Sequence, residues 1–76
     1  MLDDINKRVF LLGILTREPG ESLKDVTLSL AHTGMFTPKE GKRLRRELES
    51  EGYIHEGELT LKGMIEAKKA EEEFKL

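Results

Sequence analysis

The chain's 76 residues carry 15 acidic and 13 basic side chains, a formal net charge of −2, and no cysteine. That length admits one small domain, near the lower limit at which an apolar core holds without staples, and the missing thiols exclude disulfides, thiolate metal sites and cysteine nucleophiles. A mildly acidic chain is not a general nucleic-acid coat, so any contact with a polyanion has to be local.

The first helix is expected over about residues 3–16, opened by Asp3 or Asp4. Ile5, Val9 and Leu12 follow i, i+4, i+7 and are expected to form a buried stripe. Phe10, Leu11 and Ile14 fall on the other side, so this helix is apolar nearly all round and calls for cover on two faces. The apolar run over residues 9–15 is broken by Gly13 and is far too short to span a bilayer. Asp3 and Asp4 stand where a secretory signal would be positive. The expected location is therefore the cytoplasm.

Pro19-Gly20 marks a turn, and Ser22-x-x-Asp25 reads as a capping box opening a second helix over about 22–32. Leu23, Val26 and Leu30, with Thr27 beside them, form its inner face. Gly34 is the expected stop. A third helix over 37–51 has the clearest signals: Thr37 as N-cap, Pro38 at the first helical position, Glu40 closing the box and Gly52 ending it. Leu44 and Leu48 are its core face. Gly41 costs roughly 1 kcal/mol against alanine in mid-helix, which points to a close approach by another helix.

After Gly52 the period changes to two. Residues 53–61 read as a hairpin with Glu56-Gly57 as its loop, which sets Ile54 opposite Leu59 facing the helices and Tyr53 opposite Thr60. A last helix over 61–74 carries Leu61, Met64 and Ile65 toward the core. Gly63, Ala67, Ala70 and Phe74 form a second stripe of mostly small residues. The fold class is thus mainly α with a small β-hairpin, one domain over residues 1–76.

The third helix concentrates cations. With Leu44 at the centre of the core face, Lys42, Arg46, Lys39 and Arg43 fall between about 160° and 260° away at 100° per residue, and Arg45 lies to one side. Arginine forks onto guanine O6 and N7, lysine reaches the same edge, and both neutralise phosphates. The plainer reading is a solvated face in which Arg43 pairs with Glu47 and Arg45 with Glu49, each pair contributing about 0.2–0.5 kcal/mol.

The element order, with SLKDVTLSLAHTGMF as helix and turn, TPKEGKRLRRELESEGYI as the third helix and GELTLKG leaving the hairpin, resembles a winged helix-turn-helix domain of the MarR-like and PadR-like regulators. The resemblance covers residues 22–63. It implies a three-helix core, a two-stranded wing and a C-terminal helix, and double-stranded DNA as partner, bound in the major groove. It places Lys42, Arg43 and Arg46 near base edges, Lys39 and Arg45 on flanking phosphates, and Thr37 at a phosphate through its hydroxyl or a helix amide. Such regulators commonly carry Arg or Lys at the wing tip, whereas this tip reads His55-Glu56-Gly57-Glu58. A protein-interaction module offering a cationic helix to an acidic partner is the alternative.

Phe10, Leu11 and Ile14 of the first helix and Ala67, Ala70 and Phe74 of the last either cover each other within one chain or meet a second copy across a two-fold axis. No catalytic, metal or cofactor constellation is present: His32 and His55 stand apart with no ligand spacing around them. No polar set identifies a small-molecule effector. The scarcity of amides, with Asn6 alone and no Gln, accompanies abundant charge of both signs, a balance frequent in proteins of hot environments.

Overall fold

The computed structural model describes residues 4–74. Four helices, α1 (Ile5–Leu15), α2 (Leu23–His32), α3 (Pro38–Ser50) and α4 (Leu61–Glu73), surround one core, and an antiparallel pair of two-residue strands, β1 (Ile54–His55) and β2 (Glu58–Leu59), lies between α3 and α4. The class is mainly α with a small two-stranded sheet.

Local signals set the helix ends. Asp4 caps α1 by accepting from the Asn6 and Lys7 amides; Asp3 lies outside the described residues. Ser22–Asp25 and Thr37–Glu40 both close as reciprocal capping boxes, and Pro38 opens α3. Gly34 and Gly52 follow α2 and α3 with φ of +85°. After α3 the Gly52 amide donates to the Glu49 carbonyl and the Tyr53 amide to the Leu48 carbonyl, the Schellman pattern. The hairpin keeps the expected register, Ile54 against Leu59 and His55 against Glu58. Its turn needs positive φ at both Glu56 (+48°) and Gly57 (+80°). Tyr53 and Thr60 continue the pairing through a 3.1 Å bond from the Thr60 amide to the Tyr53 carbonyl. The strands themselves are shorter than the 53–61 span.

Phe10, Leu11, Leu44 and Leu48 are the largest fully buried side chains, joined by Ile14, Leu23, Val26, Phe36, Tyr53, Ile54 and Ala67. Gly41 meets the expected close approach: a Cβ there would stand 2.4 Å from Thr27 Cγ2 and 3.0 Å from Phe36 Cε1. This is where α2 crosses α3.

Three expectations are corrected. Ile5, Val9 and Leu12 are not the buried stripe of α1: Ile5 is 55 % exposed and the other two are half-buried, while Lys7, Phe10, Leu11 and Ile14 face inward. A helix apolar all round carries no preferred roll; α1 is turned by its partners, with Lys7 drawn to α3 and Gly13 under Val26 and Leu30 of α2.

Leu61, Met64 and Ile65 likewise point outward rather than into the core. The rotation of α4 is set by Gly63, where a Cβ would come within 2.0 Å of the Tyr53 carbonyl oxygen, and by Thr60, whose hydroxyl caps the Gly63 amide and donates to the Gly52 carbonyl. Finally, Phe10, Leu11, Ile14, Ala67 and Ala70 are all buried inside one chain, where α1 and α4 make the most extensive contact of the fold. They are spent on the intrachain core, so they do not form a dimer interface; of that set only Phe74 is exposed.

Candidate functional site

The capped, proline-opened α3 is a thirteen-residue rod whose Leu44 and Leu48 are buried to 1 % and 0 % exposure. With that side fixed, the opposite side is presented to solvent: Thr37, Lys39, Lys42, Arg43 and Arg46 are exposed and Arg45 is half-buried. Lys39, Lys42, Arg43 and Arg46 line one shallow hollow of about 350 Å³ together with Glu40. The Glu40 carboxylate is occupied in accepting from the Thr37 amide and hydroxyl.

Part of the charge is compensated within the helix. Arg43 Nη1 stands 3.1 Å from Glu47, and Arg45 Nε 3.1 Å from Glu49. Among the described residues no acid lies within ion-pair distance of Lys39, Lys42 or Arg46. Surface pairs of this kind hold only weakly, so both paired arginines remain available to a stronger anion.

Behind the cations lies a buried ammonium that sequence reading passed over. Lys7 Nζ, on a side chain 10 % exposed, is 2.7 Å from Glu51 and 3.1 Å from Glu47. Glu47 thus bridges Lys7 on one side and Arg43 on the other. The hydrogen bond to Glu51 holds the Lys7 pKa above its ordinary value, against the opposing pull of burial, with Glu47 adding to the rise. The last turn of α3 has no basic residue of its own. Lys7 therefore supplies the positive charge that a helix C-terminus favours, and shares Glu47 with Arg43 of the cationic face.

Two further residues enter through the tertiary structure. Lys24 on α2 joins Lys42 and Arg45 around a second hollow, with Thr27, Leu28 and Pro38, because the α2–α3 crossing at Gly41 sets the start of α2 beside α3. Arg17, just beyond α1, donates to the Gly57 carbonyl at 3.3 Å and pairs with Glu58 at 2.9 Å. It ties the hairpin tip to the end of α1. His55 and Glu56, 4.0 Å apart, stay exposed at that tip. His32 is exposed at the end of α2.

Among the described residues no group of three or more His, Asp or Glu side chains is arranged to hold a metal ion, and no helix is long and apolar enough to cross a membrane. No family model, curated protein or solved structure matches the chain.

Proposed function

We propose that this chain is a winged helix-turn-helix module that binds double-stranded DNA sequence-specifically through the outward face of α3, acting as a small transcriptional regulator. The observation that carries the reading is the exposure of Lys39, Lys42, Arg43 and Arg46 together on the side of α3 turned away from the core. An α-helix fits the major groove, and four long cations on its free side supply both phosphate neutralisation and bidentate base contacts. Lys24 adds a phosphate contact from α2. The order of helices, with the hairpin between α3 and α4 as the wing, supports the same reading.

The wing takes a passive part. Glu56 and Glu58 would be repelled by phosphate, and Arg17 ties the tip to α1, so contact rests on the helix. That acidity is also what favours the second reading, an interaction module whose α3 docks on an acidic protein. Selection of bound duplexes from a random pool separates the two. Enrichment of one motif, lost on replacing Arg43 and Arg46 with Ala, is expected; recovery of an unenriched pool, with acidic protein competing as well as duplex, would contradict DNA recognition.

A further inference from the structure

Gly41 lets α3 lie directly on Thr27 of α2, and the next residue of α2, Leu28, comes to the rim of that crossing. Its side chain is left 47 % exposed. There Leu28 and the exposed ring of Pro38 share a hollow of about 400 Å³ with Thr27 and three cations, Lys24, Lys42 and Arg45. Among the described residues no acid lies within ion-pair distance of Lys24 or Lys42, and Arg45 pairs with the exposed Glu49. Leu61, Met64 and Ile65 are also exposed, but they stand on α4, which packs on α1.

The cations around the apolar pair are of two kinds. Lys42 also lines the hollow of Lys39, Arg43 and Arg46, so it belongs to the middle of the outward face of α3, the side assigned to base edges. Lys24 and Arg45 lie on the flank nearer α2, where phosphate contacts are assigned. In roll about the α3 axis, Pro38 falls at about 120° from Leu44, between Arg45 at about 100° and Lys42 at about 160°. An apolar surface thus stands between a base reader and two phosphate readers.

The major groove presents its groups in the same order. From the middle of a base pair toward the strand that carries the pyrimidine, the hydrogen-bonding N4 or O4 comes first, C5 next and the sugar-phosphate backbone last. Thymine carries a methyl group on that C5, the apolar feature of the groove edge.

We infer that Leu28, with Pro38, reads the 5-methyl group of a pyrimidine in the bound duplex, so that α2 as well as α3 determines base specificity. On the DNA-binding reading, on which this rests, the group recognised is a thymine or a 5-methylcytosine beside the base pair that Lys42 contacts. One buried methyl group corresponds to about a fourfold change in affinity.

The test replaces each dT of the motif selected from a random pool by dU, in turn. That change deletes the methyl and leaves every hydrogen-bonding group of the pair in place. The wild type should lose about fourfold in affinity at one thymine of the motif. Leu28→Ala should bind the dT duplex more weakly by a similar factor and no longer distinguish dT from dU there. At the same position the wild type should also prefer 5-methyl-dC to dC, and Leu28→Ala should not. Leu28 is nearly half exposed, so alanine spares the fold, which an unchanged circular-dichroism melt verifies. Leu61→Ala, at a position 76 % exposed on α4, is the surface control and should retain the dT preference. A scan flat at every thymine, or a dT preference that survives in Leu28→Ala, overturns the inference while DNA binding through α3 stands. A pool from which no motif is enriched overturns both.

Discussion

Lys7→Met removes a buried ammonium and leaves its two carboxylates in place. At about 3 Å and an effective dielectric near 20, each Lys7–carboxylate attraction is roughly 5 kcal/mol before desolvation. Most of that is offset. The ammonium has been taken out of water, while Glu47 and Glu51 keep 40 % and 44 % of their side-chain surface exposed and rehydrate when freed. The methionine also buries well. What remains is the repulsion of two carboxylates one turn apart and the lost tie between α1 and α3, a net destabilisation of about 1–2 kcal/mol, against about 3–5 for breaking a fully buried pair. For a domain of this size that lowers the melting temperature by roughly 5–15 °C.

The assay is thermal unfolding followed by circular dichroism at neutral pH, for Lys7→Met and for Lys7→Met/Glu47→Gln/Glu51→Gln. Neutralising the acids should recover most of the loss. The pH dependence has a definite sign. Because the Lys7 pKa is raised by Glu51 and then Glu47, its contribution is complete below the unfolded value of 10.5 and disappears as pH rises through the higher folded value. The wild type should thus keep its advantage over Lys7→Met through neutral pH and lose it only in strong alkali. A single variant melting at or above the wild type, or a triple variant as unstable as the single, would refute the network.

Gly41→Ala should destabilise by about 1–2 kcal/mol, because overpacking against buried Thr27, at 2.4 Å, outweighs the roughly 1 kcal/mol of helix propensity gained; denaturant melts should show partial rescue in Gly41→Ala/Thr27→Ser, which removes the clashing methyl. Asp25 is held below its ordinary pKa by the Ser22 amide and then the Ser22 hydroxyl. Its capping box should be intact above pH about 3.8 and fail as pH falls through the lower folded value, seen as earlier exchange of the α2 N-terminal amides by NMR. Lys24→Glu should weaken duplex binding uniformly across sequences and reduce the salt slope by about 1, measured by fluorescence anisotropy.

What was legible in the sequence was local. The capping boxes at Ser22 and Thr37, the glycine stops, the hairpin register and the outward cations of α3 each depend on residues within a turn or two of one another. The rolls of α1 and α4 were not legible. Ile5–Val9–Leu12 and Phe10–Leu11–Ile14 are equally apolar stripes, and contacts far along the chain decide between them: Lys7 reaching Glu51, 44 positions away, and Gly13 under Val26 and Leu30. Leu61 and Ile65 are the most hydrophobic residues of α4, yet its packing follows the small Gly63, because backbone sits where any side chain would go. Arg17, Lys24 and Lys7 escaped notice for one reason: their partners lie across the fold, as with Arg17 and Glu58, 41 positions apart.

The most direct test of the central claim is the salt dependence of duplex affinity for the wild type and for Arg43→Ala/Arg46→Ala. With Lys24, Lys39 and Arg45 on phosphates, log affinity should fall with log salt at a slope of about −3, and the double variant should lose affinity for the selected motif while keeping most of that slope. A wild-type slope near zero, or a double variant indistinguishable from the wild type, would contradict DNA binding through α3.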